Sequence, residues 1–234
     1  MYQCKARRVG VIRSRRANPP EYGIIGVPEI DFDFKDPALG VSAVGRHGVL
    51  PANGFATLGP VQVAPAALQF NGVVGFGYHA SNIGVFRTSQ QRTYLLQITV
   101  QRGTPLSLIW IHGSALASGF AFLCSPFANN WQLNYLGGDG LNGPFITNLP
   151  YDVPIDIILV RNGASALMVV EGRLIATHLF PGLFIPSADP FATVGDGLGG
   201  GLPLLGRIHR LMFWSRVPSN TQIAQFTKTL KKRF

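Results

Sequence analysis

The stretch GRIHRLMFWSRVPSNTQIAQF, residues 206–226, changes from a strand pattern to a helix pattern within a few residues. Its first half, 206–216, is crowded with long apolar and aromatic side chains. That crowding is too dense for the single stripe of a surface helix, and it predicts a mostly buried strand. Val217-Pro218 then ends the strand, because proline cannot continue the hydrogen-bond ladder.

The second half of the stretch carries the signals of a helix start. Ser219 and Gln222 have the Ser-x-x-Gln form of a capping box, in which each side chain bonds the other residue's main-chain amide. A short helix over about 219–231 is therefore predicted. Its apolar stripe, which can lie on a sheet, consists of Ile223, Phe226 and Leu230.

The composition of the whole chain agrees with a strand-rich fold. The 234 residues include 28 Gly and 17 Pro, and 47% of them are hydrophobic. Such values are typical of many short strands separated by turns. We therefore expect an all-β fold in one domain over residues 21–234, since a β-sandwich of about 200 residues is common.

Three segments together resemble the laminin G-like jelly-roll domains of the concanavalin A-like lectin and glucanase superfamily. The first is 206–226. The second is DIILVRNG at 156–163 followed by ALMVVEGRLIA at 166–176, which looks like the family's paired strands before an acidic-glycine turn. The third is ALQFNG at 67–72, similar to its opening strand. The resemblance implies a two-sheet antiparallel β-sandwich, a concanavalin A-like jelly roll, closed by the C-terminal helix.

The net charge of +9 is concentrated at the two ends of the chain. Four cations lie at 228–233, and the body between the two ends has ten basic against eleven acidic residues. A basic extended arm over residues 1–20 is expected, and it would contact nucleic acid or an acidic protein surface, or remain a solvated tail. The cations of this anchoring arm are Lys5, Arg7, Arg8, Arg13, Arg15 and Arg16.

The neutral body suggests assembly with other subunits. Only 13% of the residues are charged, against an average of roughly 25%. Residues 1–16 are too basic for a secretory signal, although the resembling family is usually secreted. These features favour a non-enzymatic virion structural protein made in the host cytoplasm, a bacteriophage capsid decoration, minor capsid or tail component. Its expected partners are other virion subunits, including further copies of itself.

The alternative function is a carbohydrate-binding, lectin-like adhesion module that recognises a host-surface glycan. In lectin-like members of the resembling superfamily, sugar binding is expected to use an exposed aromatic ring with Asp or Asn nearby. Trp131 with Asn129 and Asn130 is the best local cluster, although the sequence favours core packing for Trp131.

A glycoside hydrolase is the function that the sequence favours least. The glucanase branch implied by the resemblance carries two carboxylates on one strand, and Asp31 and Asp33 have the required i, i+2 spacing. They lie outside the resembling segments, in a predicted strand over 22–34 whose alternation places both acids on the face opposite the core. We therefore predict no enzymatic activity.

No cofactor is expected, with calcium as the one alternative. Many members of the resembling family bind calcium through loop oxygens, which suit a hard cation. The candidates here, which are also ordinary turn residues, are Asp139, Asn142, Asp189 and Asp196. Cys4 lies in the arm and Cys124 in an apolar stretch, so a disulfide framework is not expected. Neither has a second Cys or a His at metal-ligand spacing, so no zinc site is expected.

Two further segments make specific structural predictions. Residues 106–127 carry no charge and are long enough to cross a bilayer, but their pattern favours two strands, so no membrane span is expected. Asn162-Gly163 is the strongest hairpin signal in the chain.

Overall fold

The computed structural model describes residues 22–33, 55–57, 62–64, 67–72, 78–81, 89–113, 118–137, 142–188, 191–195 and 201–231. For 55–57, 62–64, 78–81, 142–145, 147, 191 and 231 it describes the backbone alone. The described strands form two antiparallel sheets with a short C-terminal helix, which confirms the predicted all-β sandwich.

The first sheet contains eight of the described strands. They are β1 (Ile30–Asp33), β3 (Gln62–Ala64), β4 (Ala67–Asn71), β6 (Gln91–Val100), β11 (Ile155–Asn162), β12 (Ser165–Val170), β13 (Arg173–Leu179) and β15 (Leu205–Trp214). Their order is β13-β12-β11-β6-β15-β4-β3, and β1 also pairs with β15.

The second sheet contains the other seven described strands. They are β2 (Phe55–Thr57), β5 (Tyr78–Ser81), β7 (Ser107–His112), β8 (Phe120–Phe127), β9 (Asn130–Leu136), β10 (Asn142–Leu149) and β14 (Phe191–Val194). Their order is β10-β9-β8-β7-β14-β5-β2. Two helices complete the described fold, α1 (Tyr22–Ile25) and α2 (Asn220–Lys231).

The strand predicted from residues 206–216 is β15, and it lies in the middle of the first sheet. It pairs with β6 along one side. On its other side residues 205–208 pair with β4 and residues 210–213 pair with β1. One strand near the C-terminus therefore fixes the positions of three strands from the first half of the chain.

The interior between the two sheets is rich in aromatic rings. The ring of Tyr94 in β6 lies 5.9 Å from that of Trp110, 5.2 Å from that of Phe122 and 5.3 Å from that of Phe213. Pairs at such distances contribute about 0.5–1.5 kcal/mol each beyond the area they bury. This cluster therefore joins the two sheets face to face.

Two buried arginines fix the segment that follows β13. The Arg161 guanidinium donates to the Gly137 carbonyl at 2.9 Å and lies 4.0 Å from the centre of the Phe180 ring. The Arg92 guanidinium lies 3.5 Å from the centre of the Phe184 ring. Both arginines are fully buried, and main-chain carbonyls and ring faces replace the water around their charges.

Helix α2 covers the outer face of the first sheet, as its apolar stripe predicts. Ile223, Phe226 and Leu230 are all buried. The Phe226 ring meets Trp214 of β15 edge to face, with 5.5 Å between the ring centres. The first sheet is consequently apolar on both faces, with the second sheet against one face and the helices against the other.

The predicted capping box forms at the start of α2. Ser219 Oγ accepts a bond from the Gln222 amide at 3.2 Å, and Gln222 Oε1 accepts one from the Ser219 amide at 2.8 Å. Gln222 Nε2 also donates to the Ile24 carbonyl of α1 at 2.8 Å. The cap therefore secures both helices on the sheet.

Ser219→Ala is expected to lower the free energy of unfolding by about 1 kcal/mol, because it removes the acceptor for a helix amide. Urea denaturation would measure the change. Ser219→Asp keeps an acceptor at this position and should lose less. Equal losses in the two variants would contradict the capping role.

The prediction of one strand over 22–34 is wrong for its first part. Residues 22–25 form α1 instead, and the Gly26 amide closes the turn on the Tyr22 carbonyl at 3.0 Å. Gly26 has φ 104°, a conformation that favours glycine and ends the helix. Tyr22 and Ile25 are buried in the same apolar layer as α2, so tertiary packing overrides the local strand pattern.

The hairpin signal at Asn162-Gly163 is confirmed with a shift of one residue. Asn162 still pairs with Ser165, so the two turn residues are Gly163 and Ala164. Gly163 has φ 58°, which this tight turn requires and which glycine adopts without strain.

The uncharged segment 106–127 contributes to β7 and β8, as predicted. In the described part of the chain, no helix has both the length and the apolar character needed to cross a membrane. Cys124, in this segment, is a free buried thiol, and burial raises its pKa to about 12. Cys4 and the arm over 1–20 lie outside the described residues.

Candidate functional site

The hairpin of β8 and β9 presents an uncharged polar face to the outside of the second sheet. The two strands are in continuous register from Ala121 opposite Leu136 to Phe127 opposite Asn130. Ala128, with φ 53°, and Asn129 form the connecting turn. Because side chains alternate along a strand, this register decides which residues share each face.

The inward face of the hairpin belongs to the core between the sheets. It consists of Phe120, Phe122, Cys124, Trp131, Leu133 and Tyr135. Burial raises the pKa of the Tyr135 phenol well above its ordinary value, so this side of the hairpin carries no charge at neutral pH.

The alternate residues of the same hairpin point outward. We define the amide face as the outward side chains of Ser125, Phe127, Asn130, Gln132 and Asn134. Phe127 lies opposite Asn130, and Ser125 lies opposite Gln132. The face is about 14 Å long from Phe127 to the level of Asn134, given a rise of about 3.4 Å per residue.

Exposure falls steadily along the amide face. Phe127 at the hairpin tip is 41% exposed, and Asn129 beside it is exposed too. Asn130 and Gln132 are half-buried, whereas Asn134 is only 9% exposed. The aromatic ring is thus accessible at the outer end, and the last amide is buried at the inner end.

The Asn134 amide has an unsatisfied end. Its Nδ2 donates to Ser125 Oγ at 3.4 Å, a long and therefore weak bond. Its buried Oδ1 accepts no hydrogen bond from any described residue. Turning the amide over exchanges the two ends and still leaves one of them without a partner. Since buried polar atoms are nearly always paired, an unpaired Oδ1 at this position is unusual.

Apolar side chains lie beside Asn134 on the side of β7. Leu108 and Ala121 are buried there, and half-buried leucine and isoleucine side chains pack around them. These half-buried residues are Ile111, Leu123, Leu136 and Leu202. Apolar surface with a few placed polar groups is the usual composition of a small-molecule site.

The segment of sequence that forms the amide face carries no formal charge. Residues 103–138 contain no Asp, Glu, Lys or Arg. An anion bound on this face would find no cation from the hairpin itself, and an unpaired buried charge is very costly. The chemistry of the face therefore suits an uncharged ligand rich in hydroxyl groups.

The predicted glycan-binding cluster is only partly assembled. Asn129 and Asn130 lie at the hairpin tip, on the amide face or beside it. Trp131 points the other way, is 1% exposed, and donates from Nε1 to the Pro150 carbonyl at 2.9 Å. The core role that the sequence favours for Trp131 matches this position, and the accessible ring beside the two asparagines is Phe127.

The two carboxylates of the hydrolase hypothesis lie on the other sheet. Asp31 and Asp33 are both buried in β1, on the side covered by the helices. Arg210 donates to both oxygens of Asp31, at 2.8 and 2.6 Å, and the Tyr22 hydroxyl donates to it as well. These bonds join β1, β15 and α1, so the geometry gives Asp31 a structural role.

The calcium candidates fall mostly outside the described residues. Asp139, Asp189 and Asp196 are not described, and only the backbone of Asn142 is. Among the described side chains, no three His, Cys, Asp or Glu residues come together as metal ligands would. The expectation of no cofactor, with calcium as the alternative, stays a prediction.

Several solved structures share this fold at low sequence identity. Domain 4 of AbnA, an extracellular arabinanase from Geobacillus stearothermophilus solved with arabinotriose, is 13% identical with a TM-score of 0.65; the match covers 86% of this chain and 98% of that one. The ligand-binding domain of botulinum neurotoxin serotype D, in complex with N-acetylneuraminic acid, is 10% identical with a TM-score of 0.66; the match covers 89% of this chain and about half, 52%, of that one.

A third similar structure is the CBM40 domain of the Ruminococcus gnavus IT-sialidase, bound to α2,3-sialyllactose. It is 14% identical with a TM-score of 0.52, and the match covers 69% of this chain and 96% of that one. No protein-family model and no curated protein sequence matches the chain. At these identities the similarity establishes the β-sandwich fold alone. The virion role and its location have no support among these structures and stay predictions from the sequence.

Sequence reasoning missed the residues that complete the amide face. Ser125, Phe127, Gln132 and Asn134 were not among the predicted site residues. The alternation of Trp131, Leu133 and Tyr135 with polar residues was a usable signal, because it places Gln132 and Asn134 together on the outward face.

Proposed function

We propose that the chain is a carbohydrate-binding module that holds a neutral glycan on the amide face. The unsatisfied Oδ1 of buried Asn134 supports this proposal most directly, because a turn of this side chain toward the surface would let it accept a hydrogen bond from a sugar hydroxyl. The carbohydrate ligands of the structurally similar domains support it further.

The remaining groups of the face suit the other surfaces of a sugar. Side-chain amides both donate and accept, so Asn130 and Gln132 can each bond hydroxyl groups in either sense. The exposed ring of Phe127 offers an apolar platform for the C–H face of a sugar ring. With the aromatic ring at one end and the Asn134 amide at the other, the face is longer than one sugar ring and suits an oligosaccharide.

The absence of charge between residues 103 and 138 favours neutral over acidic glycans. Two of the similar domains were solved with sialic acid ligands, and the third was solved with the neutral arabinotriose. In this chain the hairpin supplies no cation to pair with a carboxylate. We therefore infer that arabinotriose-like neutral oligosaccharides are preferred over sialyllactose.

Calorimetric titration with a panel of neutral oligosaccharides, with sialyllactose as the acidic comparison, would test the function. Asn134→Ala is expected to weaken binding of a neutral ligand about 5- to 150-fold, equivalent to the 1–3 kcal/mol of one hydrogen bond in a buried site. Asn162→Ala, an exposed asparagine on the other sheet, is the matched control and should bind normally.

Two results would contradict the proposal. One is the failure of every neutral oligosaccharide in the panel to bind the folded wild-type chain. The other is binding that Asn134→Ala and Phe127→Ala leave unchanged, which would place any glycan site elsewhere. Circular dichroism of each variant would show that the sheets remain folded.

A further inference from the structure

The edge strand β13 combines an open hydrogen-bonding edge with exposed apolar side chains. In the described part of the chain, β13 pairs with β12 alone and ends the first sheet. Leu179 is 78% exposed, Leu174 is 61% exposed and Ile175 is about half exposed, at 49%. A long apolar edge of this kind is a template for another strand.

β13 carries little of the usual protection against edge pairing. Proteins normally place lysine, proline, inward-pointing charges or a β-bulge on an open edge. β13 has a bulge at Ile175, where its register with β12 shifts, and regular pairing over 176–179. Here residues 174–179 read LIATHL, with no proline and no lysine, arginine or acid. Arg173 carries the one formal charge of the strand, and it stands at the first position.

The surface beside this edge is also apolar and open. A groove of about 610 Å³ runs over β12 and β13, and its lining includes Leu167, Leu179 and Val217. A second groove of about 280 Å³ continues it along α2, past Leu167, Leu174 and Ile223. The apolar surface therefore extends beyond the strand and can pack against a partner once the strand edges have paired.

The edge is complementary to itself. The segment LIATHL has apolar residues at both ends and Ala176-Thr177 in the middle. An antiparallel copy centred on Thr177 sets Ala176 opposite His178 and brings Ile175 beside Leu179 of the partner strand. Ala176 and His178 pair with inward-facing residues of β12, so this register keeps like faces together.

Charge does not oppose such an association. The ten cations at 5–16 and 228–233 account for the excess of positive charge in the chain. The body between them has ten basic against eleven acidic residues. Residues 174–179 carry no formal charge, so they cannot form an ion pair with a charged partner. A second copy of the chain is the partner that matches both the polarity and the antiparallel geometry, and two-fold dimers are the commonest oligomers.

We propose that β13 pairs with β13 of a second copy across a two-fold axis near Thr177, joining the first sheets of two protomers into one continuous sheet. The joined edge belongs to the first sheet, whereas the amide face lies on the outside of the second sheet of each protomer. Either proposal can therefore fail alone.

Sedimentation equilibrium of the full chain between about 1 and 100 μM would test the dimer. The wild type is expected to dimerise in this range. Leu179→Lys, at a side chain already exposed in the monomer, is expected to raise the dissociation constant at least about tenfold, because a lysine on the edge would be buried against the partner. Leu106→Lys alters an exposed leucine outside β13 and should dimerise normally.

Cysteine cross-linking would locate the axis. In a Cys4→Ser background, Thr177→Cys is expected to form a disulfide-linked dimer, whereas Thr221→Cys, an exposed threonine on α2, should not. The buried Cys124 thiol, with its pKa raised to about 12, should not interfere. A wild-type chain that stays monomeric at every concentration, or a dimer that Leu179→Lys leaves intact, would overturn the proposal.

Discussion

Arg210→Met is expected to lower the free energy of unfolding by about 3–5 kcal/mol, because it leaves the Asp31 carboxylate buried without its cation. The two side chains are at most 2% exposed, and the Arg210 guanidinium donates hydrogen bonds to both carboxylate oxygens of Asp31. Their bonds connect β1 to β15 under the helices. Urea denaturation followed by tryptophan fluorescence would measure the loss.

Two controls separate the ion pair from a general effect of losing arginine. Arg207→Met removes an exposed arginine from the same strand and should cost less than about 1 kcal/mol. The double variant Asp31→Leu/Arg210→Met removes both members of this ion pair and should recover part of the loss, since the Asp31 carboxylate is no longer buried without its cation. A double variant that is no more stable than Arg210→Met would contradict this account.

Phe226→Ala is expected to destabilise the fold by about 3–5 kcal/mol. The Phe226 ring is fully buried, and it meets Trp214 edge to face across the interface between α2 and the first sheet. Its removal leaves a cavity in the layer where Ile223 and Leu230 also pack, so the helix should loosen from the sheet. Chemical denaturation gives the free-energy change, and hydrogen exchange of α2 amides gives the local effect.

Gln225→Ala is the neighbouring control, because Gln225 is exposed on the opposite side of α2. It should change the stability by less than about 0.5 kcal/mol. A Phe226→Ala variant that behaves like Gln225→Ala, with unchanged exchange in α2, would show that the helix does not depend on this contact.

The C-terminal strand and helix were predictable because their signals are local. A capping box, an apolar stripe and a proline between them depend on residues only a few positions apart. The structure keeps each of them, in β15, Pro218 and α2. The sandwich class followed from the same strand and turn chemistry, supported by the resemblance to jelly-roll domains.

The parts that could not be predicted depend on tertiary packing. The α1 turn exists because Tyr22 and Ile25 fit beside α2, a contact between residues almost 200 positions apart. The buried state of Asp31 depends in the same way on Arg210, 179 positions along the chain. No local pattern specifies either partner.

In the candidate site, too, some features follow from the local sequence and others depend on strand pairing. The sequence placed asparagines and an aromatic together at 129–131, but the strand register decides which aromatic faces outward. Once β8 and β9 pair, Trp131 enters the core and Phe127 takes the exposed position. The burial of Asn134 likewise depends on strand pairing, which sets it opposite Leu123.

The most direct test of the glycan proposal is to follow the side-chain NH₂ signals of asparagine and glutamine by NMR during titration with a neutral oligosaccharide. The account predicts saturable shifts of the Asn130, Gln132 and Asn134 signals, with the Asn162 signal unmoved. Saturable binding with shifts confined to residues outside the amide face, or no shift with any neutral oligosaccharide, would contradict it.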